Sequence, residues 1–436
     1  MQARIAPQPR QRGAGGATPH DIAGVPVQTL ATTYGTPLLA IDLDIFDRNV
    51  ARFEALHAEL GIDVSYAGKA FLVIALARRL VRTTLGLDVC SLGELVTAER
   101  AAFPAPRLTM HGCAKTGDEL RAAAEGRVGR LVIDNHAEIE RLAAYAQPRR
   151  PLSVLLRVNT GIEAHTHAHV RTGGAASKFG LAPQSVPAAI AAVGSVPGLR
   201  FVGLHSHLGS QIFDAEPYRA SLDVLLDLCH VAASQEAPQL ELIIGGGFGV
   251  APTDCAAGVD VAGILRELAR DCAQGARARG IRTPRLGIEP GRAIVAAAGT
   301  SLYCVAVGKL QGERRFAIVD GGIADNPRPA LYGAFHEPAL AGRTTSAPLA
   351  ETTVCGRSCE NDQLAVAPLP LDLRPGDLLT MATTGAYTFS MASNYNRFPR
   401  PAVVFIENGA HRLAVRRESE DDVMRNDVDD MADSGA

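Results

Sequence analysis

Short β-rich runs alternate with stretches of helical periodicity from Thr36 to Glu289. This alternation is typical of parallel strands joined by helices. The strand candidates are 38–40, 63–66, 88–90, 108–111, 131–133, 153–159, 201–207, 240–244 and 285–289. The helical stretches that separate the first of them are 45–60, 70–82, 92–102 and 116–125. About eight strand and helix units of this kind predict a (β/α)8 TIM-like barrel.

The pattern changes after Gly291, where short strands are separated by Gly and Pro. These strand candidates are 301–310, 315–319, 350–355, 377–381, 402–407 and 411–415. Such a series predicts a mostly antiparallel β domain. We therefore expect a barrel over 42–290 and a β-sandwich or barrel-like domain built from 21–41 and 291–425. Residues 1–20 and the acidic tail 426–436 lack apolar periodicity, which predicts disorder at both ends.

Composition narrows the class of partner. The 436 residues are 47% hydrophobic and 20% charged with a net charge of -3, which gives no electrostatic basis for binding nucleic acid or an anionic membrane. Eight scattered cysteines without a Cys-x-x-Cys pair indicate reduced thiols. There is no uncharged apolar run of about 18 residues and no signal peptide. We expect a soluble cytoplasmic protein that acts on small neutral or zwitterionic molecules.

Residues that carry chemistry follow several predicted strands, where the functional groups of a barrel lie. Lys69 follows one strand, and an amine in that position can be held partly neutral for Schiff-base chemistry, although a solvated lysine is the ordinary alternative. The other three strand ends carry 205–210, 245–249 and 289–292.

Two of these strand ends suggest recognition of an anion. The triple glycine 245–247 either forms a tight turn or lets backbone N–H groups approach a phosphate. Glu289 and Arg292 are held in one turn by Pro290 and Gly291, so they either pair with each other or serve a ligand. In the second case Glu289 pairs with a heterocyclic N–H and Arg292 binds a carboxylate or phosphate.

The histidines leave a metal-dependent barrel hydrolase open as an alternative. His165, His167 and His169, and also His205 and His207, have strand-compatible spacing for metal ligation. Barrel hydrolases carry such a motif on the first strand and an aspartate on the last, and neither is found here. The first three histidines are therefore better interpreted as exposed loop residues.

The chain resembles the fold-type III pyridoxal-phosphate-dependent amino acid decarboxylases, and among them the diaminopimelate decarboxylases most closely. The resemblance extends from Thr36 to Glu418. It rests on the ordered motifs 66–69, 88–95, 157–159, 172–173, 177–180, 203–211, 245–247, 289–292, 328–332, 359–360, 385–387 and 393–396. Several of these lie in polar segments of the β domain that could otherwise be plain turns.

The resemblance implies a role for each matching residue. Lys69 would bind the aldehyde of pyridoxal 5'-phosphate, His207 would stack on its ring and Glu289 would pair with its ring nitrogen. The phosphate would be held by a set comprising Ser210, Gly247, Gly291, Arg292 and Tyr387. Arg292, Arg328, Tyr332 and Tyr387 would bind the substrate, and Glu360 its distal amino group. Cys359 would act as the proton donor, since a thiol has a pKa of about 8.5 that neighbours readily shift.

The implied activity is decarboxylation of meso-2,6-diaminopimelate to L-lysine by a homodimer in which Cys359 and Glu360 reach into the neighbouring subunit's site. Two departures from the family pattern are Gly68 and Phe71 beside the lysine. A third is the 359–363 loop, where the acidic residue Asp362 comes one place early. The resemblance implies that this loop contacts the far end of the substrate. The alternative is therefore a related decarboxylase that acts on another amino acid or on an amino acid bound to a carrier. A pyridoxal-phosphate racemase would need a second catalytic tyrosine, and a catalytically inactive regulator would lack Lys69 or Cys359.

Overall fold

The computed structural model describes residues 20–162, 177–233, 240–251 and 258–428. Most of the two terminal segments for which we predict disorder lies outside these residues, as do His165, His167 and His169. Within these ranges no helix is both long enough and apolar enough to cross a bilayer.

The amino-terminal segment belongs to both parts of the fold. Its elements are β1 (Asp21–Ile22), β2 (Val25–Pro26), α1 (Val27–Tyr34) and β3 (Leu38–Asp42). β1 and β2 form a two-stranded antiparallel sheet, whereas β3 is a central strand of the large sheet described below. Asp42 then begins the barrel region, because its carboxylate accepts hydrogen bonds from the N–H groups of Asp44 and Ile45 and caps the following helix.

Eight parallel strands close into a barrel, which confirms the predicted (β/α)8 architecture. They are β4 (Asp63–Ala67), β5 (Gly86–Val89), β6 (Leu108–Met110), β7 (Arg130–Ile133), β8 (Leu152–Arg157), β9 (Leu199–His205), β10 (Glu241–Ile243) and β11 (Arg285–Ile288). The ring closes where β11 pairs with β4, with Gly287 opposite Asp63. Each strand coincides with a predicted one, and the ninth candidate, 38–40, is the strand β3 of the other sheet.

Helices surround this ring, and several of them begin at side-chain caps that the sequence supplies. They are α2 (Leu43–Leu60), α3 (Ile74–Val81), α4 (Leu92–Arg100), α5 (Gly117–Ala124), α6 (His136–Ala143), α7 (Val186–Gly194), α8 (Glu216–Ala233) and α9 (Val261–Ala278). Thr116 and Glu119 form a capping box at α5, and Asp260 caps α9. These caps fix where the capped helices begin.

The second region is a nine-stranded sheet, mostly antiparallel as predicted. After α10 (Arg292–Val295) come β12 (Gly299–Gln311), β13 (Arg314–Val319), α11 (Arg328–Tyr332), β14 (Pro338–Ala341), β15 (Leu349–Cys355), β16 (Gln363–Pro370), β17 (Leu378–Ala382), β18 (Ala402–Glu407), β19 (Ala410–Val415) and α12 (Glu420–Met424). The main order is β16-β15-β13-β12-β3-β18-β19, and β17 pairs with β12 and β14. Only β13 with β15 and β18 with β3 run parallel within it.

The barrel and the sheet share a hydrophobic core. The buried cluster of the barrel strands and helices extends to Val403 and Phe405 of β18, next to α2. Since β3 also crosses directly from the sheet into α2, the sheet is fixed against one side of the barrel. This packing brings α11 and the loop after β17 over the carboxyl ends of the barrel strands.

A fully buried ion pair joins two neighbouring units of the barrel. Lys115 Nζ lies 3.1 Å from Glu138 Oε2 and donates to the carbonyl oxygens of Gly112 and Val132 at 2.7 and 2.5 Å. Glu138 in turn accepts from the backbone N–H groups of Lys115 and Asp134. Every group is therefore satisfied, as a buried pair requires.

Replacing Lys115 with Met is expected to lower the free energy of unfolding by about 3–5 kcal/mol, because the Glu138 carboxylate then stays buried without its cation. Urea unfolding followed by circular dichroism measures this loss. The control is Arg127→Met, which breaks the half-exposed pair with Glu99 at 2.7 Å and should cost at most about 1 kcal/mol. Equal losses in the two variants would contradict the expectation.

Candidate active site

A cavity of about 160 Å³ lies at the carboxyl ends of the barrel strands, and we call it the upper cavity. Ten of the twelve predicted site residues line it: Lys69, His207, Ser210, Gly247, Glu289, Gly291, Arg292, Arg328, Tyr332 and Tyr387. The first seven come from the barrel. Arg328 and Tyr332 lie on α11, and Tyr387 lies in the loop after β17. The cavity is thus formed between the two parts of the fold.

Lys69 lies in a single 3-10 turn, Gly68–Ala70, directly after β4. This turn is held from both sides: Ser390 Oγ donates to the Lys69 carbonyl oxygen at 3.1 Å, and the Tyr387 N–H donates to the Ala70 carbonyl oxygen at 2.7 Å. The side chain of Lys69 extends into the upper cavity. Its position is therefore fixed by backbone contacts that do not depend on the amine.

The amine of Lys69 is more basic than we expect for a Schiff-base lysine in the free site. Burial by itself lowers the pKa of Lys69, but its electrostatic interactions with Tyr387, Cys90 and Glu289 outweigh that effect and the pKa is raised. This environment therefore favours the ammonium form of Lys69 over the partly neutral amine expected from the sequence, since the ionised carboxylate of Glu289 stabilises the cation.

Gly68 and Phe71, the two departures beside the lysine, have structural explanations. A Cβ on Gly68 would lie 2.7 Å from the Asp88 carbonyl oxygen, so this backbone is too close for a larger residue. Phe71 is fully buried, packs edge-on against Phe389 with ring centroids 6.0 Å apart, and is not among the residues that line the upper cavity. The change at this position therefore affects the layer behind the cavity wall.

The glycine-rich segment packs too tightly for side chains. A Cβ on Gly246 would lie 2.1 Å from the Glu289 carbonyl oxygen, and one on Gly247, where φ is +94°, would lie 2.3 Å from the Gly209 carbonyl oxygen. Only glycine can bring this strand end so close to its neighbours. The close approach leaves the wall of the cavity as bare backbone next to Ser210.

Arg292 contacts Ser210 and Tyr387 and forms no ion pair with Glu289. Its Nη2 and Nε donate to Ser210 Oγ at 2.9 and 3.2 Å, and its guanidinium lies 4.8 Å from the centre of the Tyr387 ring. Of the two possibilities for the 289–292 turn, the internal salt bridge is therefore not formed. A guanidinium, a hydroxyl and a phenol together provide donors for an anion at this corner.

Glu289 faces two histidines instead. His205 Nε2 lies 3.0 Å from Glu289 Oε2, and His111 Nε2 lies 3.4 Å from Oε1. Burial raises the pKa of Glu289, but the facing imidazoles outweigh it and hold the pKa well below its usual range. Burial lowers the pKa of His205 to about 4, so its ring is neutral at pH 7. The site therefore presents an ionised carboxylate to the cavity.

His111 is not among the predicted site residues, and the sequence predicts His205 only as a possible metal ligand. The structure groups ligand atoms of His111, His205 and Glu289 within 4.8 Å of one another, whereas His207 lines the upper cavity. This set could hold a cation, but it differs from the His205 and His207 pair of the hydrolase alternative. His111 could have been found by the rule applied to Lys69, since it directly follows β6.

Arg328 is the second buried cation of the cavity. Its Nη1 lies 3.4 Å from His336 Nε2, and its Nε has no hydrogen-bond partner within the described structure. Burial, followed by the charge of Arg292, lowers the pKa of Arg328 to about 9. Over the described ranges neither Arg292 nor Arg328 has a carboxylate at ion-pair distance. Two such cations facing one cavity are suited to an anionic ligand.

The remaining two predicted residues, Cys359 and Glu360, lie outside the upper cavity of their own chain. Both are exposed in the loop between β15 and β16. The Cys359 N–H donates to Asn396 Oδ1 at 3.0 Å, and Glu360 Oε1 accepts from the Tyr395 hydroxyl at 2.8 Å. The thiol and the carboxylate are therefore presented on the protein surface.

Asp362, the acidic residue that comes one place early, anchors this loop. Its Oδ2 accepts from Ser358 Oγ at 2.8 Å and from the Ile323 N–H at 3.2 Å. A Cβ on Gly322 or Gly356 would lie 2.3 or 2.2 Å from the same oxygen. Asp362 is thus a buried support for the loop and does not face outward with Glu360.

Comparison with known proteins decides which family this site belongs to. The sequence profile of "Pyridoxal-dependent decarboxylase, pyridoxal binding domain" matches residues 47–296. The chain belongs to this family. It is 40% identical over 422 residues to the diaminopimelate decarboxylase of Mycobacterium tuberculosis (strain ATCC 25618 / H37Rv), covering 93% of this chain and 94% of the relative. The diaminopimelate decarboxylase of Bacillus subtilis (strain 168) is 38% identical over 416 residues, covering 94% and 95%.

Solved structures agree with this membership. The diaminopimelate decarboxylase from Helicobacter pylori complexed with L-lysine superposes with a TM-score of 0.84 at 27% identity, covering 92% of this chain and 98% of that one. The enzyme from M. jannaschii in co-complex with L-lysine gives a TM-score of 0.83 at 27% identity, covering 92% and 94%. The resemblance found from the sequence is thereby confirmed, and the cofactor of this pyridoxal-dependent decarboxylase is pyridoxal phosphate.

The residues of the upper cavity fit that cofactor. Lys69 offers an amine for an aldehyde, and Glu289 offers an ionised carboxylate for a pyridine nitrogen. Ser210, Arg292 and the bare backbone beside Gly247 offer donors for a phosphate. The cavity thus has separate partners for the aldehyde, the ring nitrogen and the phosphate of the cofactor.

Proposed function

We propose that this protein decarboxylates meso-2,6-diaminopimelate to L-lysine and CO2, acting in the cytoplasm as a homodimer. The observation that carries the proposal is the pair of buried guanidinium groups, Arg292 and Arg328, which face one cavity together with Lys69 and Glu289. A substrate with two carboxylates accounts for two cations better than ornithine or arginine would. Relatives named diaminopimelate decarboxylase, about 40% identical over most of the chain, support the same substrate.

Pyridoxal phosphate, when bound, supplies an electron-withdrawing ring that accepts the electrons left as CO2 departs. Lys69 would hold the cofactor through its aldehyde group. Glu289 keeps a proton on the ring nitrogen, because its own pKa is low and its carboxylate stays ionised beside His205 and His111. Ser210 and the backbone beside Gly247 would hold the phosphate, and His207 would contact the ring.

Arg292, Arg328, Tyr332 and Tyr387, which all line the upper cavity, bind and orient the substrate. His336 supports Arg328 as a neutral partner, since burial lowers the pKa of His336 to about 3 and it adds no further positive charge. The cation of Arg328 therefore remains available for a substrate carboxylate. These fixed side chains would hold the substrate in one orientation, so that one of its carboxylates is placed to leave as CO2.

Cys359 and Glu360 complete the site of the neighbouring subunit. Both are exposed and lie outside their own upper cavity, and a loop anchored by Asp362 presents them at the surface. In the dimer, the Cys359 thiol donates the proton that replaces CO2, and Glu360 binds the distal ammonium group. An exposed carboxylate beside a thiol has no such use within one chain, which supports a shared site.

A substrate panel tests the function. The purified holoenzyme is incubated with meso-diaminopimelate, lysine, ornithine, arginine and glutamate, and CO2 and the product amino acid are measured. We expect CO2 only from meso-diaminopimelate, in amounts equal to the L-lysine formed. Release from another amino acid and none from diaminopimelate would assign the chain to a related decarboxylase with a different substrate, in keeping with the early Asp362. A protein that stays colourless with added cofactor would overturn the class as well.

A further inference from the structure

A second cavity, of about 300 Å³, lies inside the barrel on the opposite side of Glu289, and we call it the lower cavity. Its lining begins at Thr84 and Pro106, which precede β5 and β6, and ends at Asp88 and Glu289, at the carboxyl ends of their strands. Glu289 also lines the upper cavity. The carboxylate is therefore reached from both ends of the barrel.

The lower cavity exists because small residues occupy the centre of the barrel. Barrel interiors are ordinarily filled by branched side chains such as Val, Ile and Leu. Here Ser65 pairs with Gly86 across β4 and β5, Thr109 pairs with Asp88, and Gly287 follows on β11. The missing side-chain volume leaves a passage along the barrel axis.

Charged residues surround the outer end of this passage. Arg130 Nε lies 2.7 Å from Glu241 Oε2, and Arg285 bridges Glu241 at 3.0 Å and Asp63 at 2.9 Å. The side chains of Arg285 and Asp63 are 43% and 37% exposed, so this end opens to solvent. Because ionised groups line this open end, water can enter the lower cavity from bulk solvent.

The inner end holds a buried polar atom that lacks a partner. Ser65 Oγ donates to Asp88 Oδ1 at 2.6 Å, but Asp88 Oδ2 has no hydrogen-bond partner in the described structure, and Asp88 is only 4% exposed. His111 Nε2 lies 3.5 Å from Asp88 Oδ1 and 3.4 Å from Glu289 Oε1. A buried carboxylate oxygen that faces a roomy polar cavity is normally satisfied by water.

We propose that the lower cavity is a water-filled proton path between solvent at the amino face of the barrel and the cluster of Asp88, His111 and Glu289. A proton enters from bulk water, moves along hydrogen-bonded water to Asp88, and passes to His111 Nε2, which lies beside the ionised carboxylate of Glu289; the reverse route returns it. The other titratable groups that interact electrostatically with Asp88 are Cys90, Glu94 and Arg130.

The consequence is that His111, the imidazole beside the carboxylate of Glu289, exchanges protons with solvent without opening the upper cavity. Substrate and cofactor can then exclude water from the reacting side while the opposite side stays hydrated. This inference does not depend on which amino acid is decarboxylated.

Two measurements test it. A crystal structure of the holoenzyme at a resolution that shows ordered water should contain a connected row of waters in the lower cavity, with one at hydrogen-bond distance from Asp88 Oδ2. A dry cavity, or a row broken by side chains, would overturn the proposal. This measurement needs no variant and therefore does not depend on folding of an altered chain.

The second measurement is solvent exchange of the His111 ring N–H in ¹⁵N-histidine-labelled holoenzyme, followed by NMR. Thr109→Met fills the lower cavity, and Thr109→Val removes the same hydroxyl without filling it. We expect exchange to slow on the order of tenfold in Thr109→Met and to stay at the wild-type rate in Thr109→Val. Exchange at the wild-type rate in Thr109→Met, or equal slowing in Thr109→Met and Thr109→Val, would show that protons do not reach His111 through the lower cavity.

Discussion

Replacing Lys69 with Ala is expected to abolish the yellow absorbance of the holoenzyme and to lower decarboxylase activity on the order of a thousandfold or more, the scale of losing a covalent catalytic group. The amine is the group in the upper cavity that can bond covalently to an aldehyde. The fold should survive, because Ser390 and Tyr387 hold the turn through the backbone carbonyl oxygens of Lys69 and Ala70. Absorbance spectra and CO2 release measure the two effects.

Lys309→Ala is the matched control, since Lys309 is an exposed lysine on β12 in the other part of the fold. It should retain both colour and activity. A coloured, active Lys69→Ala protein would refute the assignment of this residue. Unchanged circular dichroism spectra in both variants separate loss of chemistry from loss of structure.

Mixing Lys69→Ala chains with Cys359→Ala chains is expected to restore activity from two inactive proteins. If Cys359 serves the neighbouring subunit, each mixed dimer has one site with Lys69 and Cys359 both intact. Random reassociation makes about half of the dimers mixed, so about a quarter of the wild-type activity should return. The chains are mixed in equal amounts in mild denaturant, and activity is measured after refolding.

Refolding each variant by itself provides the control, and neither should regain activity. No recovery in the mixture, with mixed dimers shown by differently tagged chains, would mean that Cys359 and Lys69 act within one chain or that Cys359 is not required. The exposed position of Cys359, outside the upper cavity of its own chain, is the reason we expect recovery.

The sequence predicted the barrel because its signal is local and repeated. Each strand and helix is marked by its own periodicity, and the strands then close in chain order from β4 to β11. The order of the second sheet could not be obtained this way. β3 lies between β12 and β18, so strands separated by most of the chain are neighbours.

The upper cavity was predictable for a related reason. The carboxyl ends of parallel strands converge, so Lys69, Ser210, Glu289 and Arg292 could be grouped from their places after strands. Arg328, Tyr332 and Tyr387 were found only by resemblance to a family, since nothing local brings α11 or the loop after β17 above the barrel.

By itself, then, the sequence determined the barrel, the lysine and the family, because periodicity and motifs are written into neighbouring residues. Only the tertiary structure decided that Glu289 faces His205 and His111 rather than Arg292, and that Cys359 and Glu360 lie away from their own cavity. It also decided that small residues leave the lower cavity open behind Glu289. These features depend on how strands and loops that are distant in the chain pack against one another. No local pattern of residues encodes that packing.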